Sequence, residues 1–298
     1  MRSLSQQYQG HDLRDLPTPT FDKRTFSPPT GSLVERYAPL IPHLVETYSV
    51  TDVSKRYAEM NAHTSPIRFK ITLAQLTKLK DKVSNRLDPT SVKPTSQDIL
   101  TAYVVSVLNR CSDVPITTIT NAASYRHVSE VLASPDVAGN AVYVIPATLP
   151  RTPLPMAQTA MAIRRSVQSS RERTFVEEYM AAASALMQEA VNNNRTWFFS
   201  PRPGKLTVNS NASIDWRSAH FGYPTTSRFH TSGFSDRYLR VFRSNPEPSM
   251  TTALGAEDPS NQSLDVFFSI ADTLKEKVGS LIQSELNGHD FPDNIPDA

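Results

Sequence analysis

The sequence predicts an α/β protein of the α+β type, with a mixed β-sheet flanked by helices. Apolar residues at helical spacing, such as Ile99, Leu100, Tyr103, Val104, Val107 and Leu108, mark amphipathic helices. Short runs rich in β-branched residues, such as ITTITNAASYR (116–126), AVYVIPATLP (141–150) and SLDVFFSIA (263–271), mark strands. The two kinds follow one another from residue 66 onward without the regular strand–helix–strand rhythm of a doubly wound parallel sheet. A mixed sheet carrying packed helices fits that order better.

Residues 1–65 show little periodicity, with prolines at 17, 19, 28, 29, 39 and 42. Proline fixes φ and removes a donor, so extended chain is expected there, with at most one short helix near Leu33–Val45. From Pro66 the pattern changes. IRFKIT reads as a strand, and Thr72 then caps a helix whose Leu73, Leu76, Leu79 and Val83 share a face, ending near Leu87-Asp88-Pro89. Thr95 or Ser96 caps a second helix, and the strands at 116–126 and 141–150 follow, separated by a loop that closes with Gly139-Asn140. Helices are expected over about 153–168 and 174–192, the first with Arg164, Arg165, Arg171 and Arg173 at its far end. KLTVNSN, YLRVFR, SMTTALG and SLDVFFSIA read as strands. Asp272 is expected to cap a last helix carrying Leu274, Val278, Leu281, Ile282 and Leu286, and the polar tail after Gly288 should fray.

A chain of 298 residues can bury a sizeable core, and 39% hydrophobic with 20% charged residues suits a soluble globular protein. The net charge of +2 demands neither a nucleic acid nor an anionic membrane as partner. No apolar run approaches the roughly 18 residues of a membrane span, and MRSLSQQYQG holds no signal-peptide core. The one cysteine, Cys111, reads as a packed thiol in a reducing compartment, so a cytoplasmic location is expected. With 23 prolines against 9 glycines, the connections should be stiff. The seven histidines show no metal-ligand spacing, and neither a phosphate-cradling glycine loop nor a Gly-x-Ser-x-Gly elbow is present.

The stretch VNSNASIDWRSAHFGYP (208–224) reads as a strand entering a turn, with Trp216, Phe221 and Tyr223 grouped around Gly222. A glycine between two aromatics lets the backbone turn where a Cβ would clash. Three further stretches precede it: FKITLAQLTKLKDKV, TSQDILTAYVVSVLNRC and NAASYRHVSEVLASPDVAGNAV, the last containing Arg126, Gly139 and Asn140. In this order the four resemble the carboxy-terminal domain of the BAHD acyltransferases, in particular fungal members. Where that family has Asp-Phe-Gly-Trp-Gly, this chain has His220-Phe221-Gly222-Tyr223-Pro224, so the structural aspartate is absent. Upstream, TPTFDKRTFSPP (18–29) resembles the segment leading into the family's crossover between domains.

The resemblance implies a coenzyme-A-dependent acyltransferase-like fold divided into 1–65, a remnant of the first domain with the crossover, 66–288, the second domain, and a tail at 289–298. It implies transfer of an acyl group from acyl-CoA, the co-substrate, to a hydroxyl or amine of a small specialised metabolite. No metal or permanently bound cofactor is implied, and the protein would be a monomer if complete. His11 and Asp15 spell the family's HxxxD, in which the histidine is the general base and the aspartate holds the loop. However, Leu16 stands where the family has glycine, no strand precedes His11, and the FDKR run follows too soon, so the true motif is as readily placed before Met1. Thr95, Ser96, Asn209 and Ser210 resemble positions lining the family's coenzyme channel, although a helix cap and strand-edge polarity account for them equally. Arg164 and Arg165 suit coenzyme phosphates by the bidentate geometry of guanidinium, or else form a solvated helix end. A truncated, non-catalytic homologue that binds at most coenzyme A or a partner is the alternative.

Overall fold

The computed structural model describes residues 2–14, 18–21, 26–134, 136–199, 202–223, 227–230, 235–245 and 263–288. Helix α1 spans Arg2–Tyr8, α2 Gly31–Tyr37 and α3 Pro42–Val45, and the short strand β1, Thr47–Tyr48, leads to α4, Val50–Asn61. Strand β2 (Thr64–Thr72), helices α5 (Leu73–Ser84) and α6 (Ser96–Cys111), and strands β3 (Thr118–Ser124) and β4 (Val142–Thr148) follow. Then come α7 (Met156–Ser169), α8 (Arg173–Asn192), β5 (Thr196–Trp197), β6 (Lys205–Ser210), β7 (Tyr238–Arg243), β8 (Ser263–Ala271) and α9 (Lys275–Gly288). None of the described helices is long and apolar enough to cross a membrane.

The main sheet has six strands in the order β2-β8-β7-β6-β3-β4, with β3, β6 and β7 parallel to one another and the remaining pairings antiparallel. The expected mixed sheet with flanking helices is therefore what forms. Both outer strands contain a proline, Pro66 in β2 and Pro146 in β4. Proline cannot donate to a neighbour, which suits an edge position and blunts it. On β4, the Val144 amide donates to the Tyr179 hydroxyl of α8 at 3.4 Å.

The two faces differ in what covers them. Ile67, Ile71, Ile119, Leu206, Val208, Leu239, Val241, Val266, Phe268 and Ile270 point to one face and share a core with α5, α6, α7 and α9. Strand pleating then sends Arg68, Lys70, Thr207, Asn209, Arg240, Asp265 and Phe267 to the other face. Helix α6 is buried almost all round, which explains why its apolar periodicity is so legible. Capping boxes start α5 at Thr72 with Gln75 and α6 at Thr95 with Asp98. A second cluster joins Tyr37, Ile41 and Leu44 to Tyr125, Tyr143, Val176, Tyr179 and Met180, so residues from the first 65 share a core with α8.

Several sequence expectations need correction. The first 65 residues are not extended chain with one helix, because α1 and the twelve-residue α4 are helical. Helix α4 buries no residue and carries only a thin apolar stripe of Val53, Tyr57 and Met60; the Ser49 cap, accepting from the Asp52 amide, starts it. The helix expected over Leu33–Val45 breaks into α2, a 3-10 turn at Ala38–Leu40 and α3, since Pro39 and Pro42 interrupt its hydrogen bonds. Helix α5 ends at Ser84, earlier than expected. Asp272 does not cap α9: its carboxylate accepts from the Ser65 hydroxyl, and a 3-10 turn (Asp272–Leu274) enters the helix instead. SMTTALG and the tail at 289–298 lie outside the described residues.

In α3, His43 packs its ring 5.8 Å from Phe199. Burial first, then the Lys205 charge, lowers its pKa from the ordinary 6.5 to about 4. A histidine depressed in the folded state stabilises the fold above its unfolded pKa and loses that contribution as pH falls through the folded one. Each pH unit between the two values is worth about 1.4 kcal/mol, so acidification from about pH 6.5 to about pH 4 should cost about 2–3 kcal/mol through this group. In urea titrations across that window, His43→Phe should flatten the pH dependence; an unchanged slope would refute the assignment.

Candidate functional site

In open α/β sheets, ligand sites gather outside the carboxyl ends of the parallel strands. Here those ends belong to β3, β6 and β7. Helix α6 returns to the same end: the Asn109 side chain, near its last turn, accepts from the Ile116 amide just before β3, so its first turn lies at the far end of β3.

Beyond Ser210 the backbone stays tied to the sheet through the Asn211 amide, which donates to the Val241 carbonyl at 2.7 Å. The chain then makes a 3-10 turn at Trp216–Ser218. The Trp216 indole is 8% exposed, donates Nε1–H to the Arg243 carbonyl at 2.9 Å, and stacks on Phe229 with centroids 5.9 Å apart. Phe229 meets Phe242 of β7 edge-on at 5.3 Å. Arg217 donates to the Ser244 carbonyl at 2.8 Å. These contacts close the carboxyl end of β7.

The HFGYP run is held from the amino terminus. Gln9 donates to the His220 carbonyl at 2.8 Å, the Ser5 hydroxyl donates to the same oxygen, and Tyr8 packs edge-on against Phe221 at 5.6 Å. Gly222 adopts φ +86°, a left-handed conformation that glycine reaches without strain. The His220 carbonyl is thus clamped by Ser5 and Gln9, while His220 Nδ1 is buried with no hydrogen-bond partner among the described residues.

Thr95 and Ser96 open α6 at this end of the sheet. The Thr95 hydroxyl accepts from the Asp98 amide, and Arg164 of α7 donates to Asp98 at 2.7 Å and to the Thr95 oxygen at 3.2 Å. Asp98 is 3% exposed. Arg164 is therefore engaged inside the protein, while Arg165, one position on, is exposed. On β6, Asn209 faces the side of the sheet opposite the helical core and donates to the Tyr238 hydroxyl at 2.9 Å; the Ser210 hydroxyl accepts from the Ala212 amide at 3.4 Å. Arg126, just past β3, donates to the Val137 and Gly139 carbonyls at 2.8 and 2.6 Å and so closes the loop that ends at the exposed Asn140. His11 is exposed after α1, and Asp15 lies outside the described residues.

Next to Asn209, whose register partner on β7 is Arg240, the sheet face opposite the helical core sinks into a cavity of about 360 Å³. Arg68 and Lys70 of β2, Arg240 of β7, Asp265 of β8, His230 and Asn245 line it. The ring of Phe267 is sandwiched on its floor, with the Arg240 guanidinium 4.3 Å and the Arg68 guanidinium 5.0 Å from its centroid. Burial, together with the Arg68 charge, holds Arg240 below its ordinary pKa, and an arginine stays charged regardless. Asp265 accepts from the Ser244 hydroxyl at 2.7 Å and the Asn245 amide at 3.2 Å.

None of these lining residues was singled out from the sequence. A signal exists nonetheless: IRFKIT alternates Arg68 and Lys70 with apolar residues, and YLRVFR and SLDVFFSIA each set a charge, Arg240 or Asp265, inside an apolar run, as a strand with one buried and one polar face does. What the sequence hides is that three such strands are neighbours.

No protein-family model matches the chain, and no curated protein matches its sequence. Solved structures do match. TRI101 of F. graminearum, crystallised with coenzyme A and T-2 mycotoxin, superposes with a TM-score of 0.60 at 16% identity, covering 94% of this chain and 59% of that one. TRI101 of F. sporotrichioides, with coenzyme A and T-2, gives 0.58 at 14% identity over 92% and 59%. Vinorine synthase gives 0.50 at 11% over 74% and 48%. This chain thus spans about three fifths of the length of TRI101. At such identities the likeness concerns architecture, and the architecture is BAHD-like: a six-stranded mixed sheet flanked by helices.

Proposed function

We propose that the protein takes part in transfer of an acyl group from acyl-CoA to a hydroxyl or amine of a small molecule. The observation that carries this reading is the fold shared across more than nine tenths of the chain with TRI101 crystallised with coenzyme A. The chain would supply the coenzyme-side wall of a channel, built as a second domain over 66–288 and preceded by a crossover segment within 1–65. The β6 end, with Asn209 and Ser210, and the α6 start, with Thr95 and Ser96, stand at one end of the sheet and present short hydroxyls and amides past which a pantetheine arm can run.

The chemistry needs a base that removes the acceptor's proton as the oxygen or nitrogen attacks the thioester carbonyl; the coenzyme thiol then leaves. His11 is the chain's candidate, with Asp15 as its loop-holding partner. Its exposed position does not exclude water, which a thioester-transfer site needs to do.

The purified protein should be heat-stabilised by coenzyme A, and with an acceptor alcohol or amine it should release thiol from acetyl-CoA or a longer acyl-CoA. His11→Ala should leave coenzyme stabilisation unchanged, since the base acts on the acceptor and the residue is exposed. If thiol release is lost in that variant, His11 is the base; if release persists, the base lies elsewhere. Absence of any coenzyme A stabilisation would overturn the reading.

A further inference from the structure

We infer that α1 is a strap, latched on the His220 carbonyl, which opens about Gly10 and in opening releases the turn at 219–223 and widens the carboxyl end of the sheet. Among the described residues, one short stretch holds this helix. The Ser5 hydroxyl and the Gln9 side-chain amide both donate to the His220 carbonyl, and Tyr8 meets the Phe221 ring edge-on. A carbonyl oxygen has two lone pairs, and the two donors use both. Ser5 is buried, whereas Leu4 and Tyr8 are exposed, so α1 is not anchored by a buried apolar side chain among the described residues. Seven residues make about two turns, too few for a helix to persist in water unaided. The latch is therefore what keeps α1 in place.

Two features bring the closed and open arrangements close in free energy. Each bond broken at the latch is exchanged for one to water, which makes the net loss per bond small. Closure also leaves His220 Nδ1 buried with no hydrogen-bond partner among the described residues, and lifting α1 off this residue lets water reach the ring. The hinge is built in. Gly10 follows α1 with φ +74°, which glycine adopts without strain, and a Cβ there would meet nothing within 4 Å. The chain can swing at this point without a collision.

Release matters because of what the turn continues. Residues 211–223 run on from Asn209 and Ser210 at the end of β6, where the acyl-transfer reading places the coenzyme wall. With α1 down the turn is fixed at that end; with α1 up it moves aside and the approach to Asn209 widens. This gating step rests on that reading, whereas the coupling of α1 to the turn does not.

Hydrogen exchange of the full chain, followed peptide by peptide, tests the coupling. The amides of Gln9, Gly10 and His11 donate to carbonyls within α1, and the Ala219 amide donates to the Trp216 carbonyl. We expect peptides covering 2–11 and 216–223 to exchange at least about a hundredfold faster than those from the middle of α6. Gln9→Ala should speed both about tenfold, the loss of one hydrogen bond, with α6 and the urea midpoint unchanged. Gly10→Ala should act in the same direction, because a Cβ strains the closed φ. Stopped-flow mixing with coenzyme A tests the gate: association should be about tenfold faster in Gln9→Ala, in proportion to the open fraction.

Faster exchange of 2–11 in Gln9→Ala with 216–223 as in the wild type is fraying of α1 alone and overturns the strap. Exchange of 2–11 as slow as that of α6 overturns it too. Coupled exchange with coenzyme A association unchanged overturns the gate. Coupled exchange with no coenzyme A binding, by wild type or variant, supports the latch and overturns the acyl-transfer reading together with the gate.

Discussion

Asp98→Ala is expected to destabilise the protein by about 3–5 kcal/mol, the cost of leaving one member of a buried ion pair without its partner. Asp98 sits inside the first turn of α6, 3% exposed, with its carboxylate 2.6 Å from Arg164 Nη2. That carboxylate also accepts from the Thr95 amide and hydroxyl, both at 2.7 Å, completing the cap of the most buried helix in the core. Truncation removes three acceptor roles at once and strands the Arg164 charge, whose side chain is only 19% exposed. For a domain of this size the melting temperature should fall by roughly 10 °C. Asp98→Asn, which keeps part of the cap, should lose less. The double variant Asp98→Leu/Arg164→Met should recover much of the loss, because it removes both charges together. A loss under about 1 kcal/mol in Asp98→Ala would show that Arg164 finds water instead.

Trp216→Ala is expected to cost about 3–5 kcal/mol, the range for truncating a buried aromatic side chain. The indole joins three things: the Arg243 carbonyl at the end of β7, the Phe229 ring and, through Phe229, Phe242. Phe242 also lines the cavity beside Arg240, so the stack helps shape that hollow. Trp216→Phe retains most of the packing and leaves the Arg243 carbonyl without its donor, at about 1 kcal/mol. Urea denaturation of the two variants separates the effects: a loss in Trp216→Ala no larger than that in Trp216→Phe would show that the packing of the indole contributes little beyond its hydrogen bond.

Local signals were legible where the core is thick. In α6 most buried positions are apolar and Thr95 caps it, so its start was readable to within a residue. In α4 the opposite holds: a helix that buries nothing leaves only a thin apolar stripe, and the prolines on either side suggest extended chain. Asp272 shows a third situation, in which a good capping residue is taken by a hydroxyl on a strand more than 200 positions away in sequence. The HFGYP turn was readable through Gly222, but its attachment to α1 was not, because that contact uses the His220 backbone carbonyl.

By itself the sequence determined a mixed sheet with flanking helices, the placement of most strands, the caps at Thr72 and Thr95, and a resemblance to acyl-CoA-dependent transferases. These follow from periodicity and local hydrogen bonding, which operate over a few residues. Only the tertiary structure decided that Arg164 is turned inward to Asp98, that α1 clamps the turn after β6, and that Arg68, Lys70 and Arg240 share one hollow. Arg240 lies 172 residues beyond Arg68, and β8 lies between their strands; pairing order across a sheet is set by packing of the whole chain, and no local pattern encodes it.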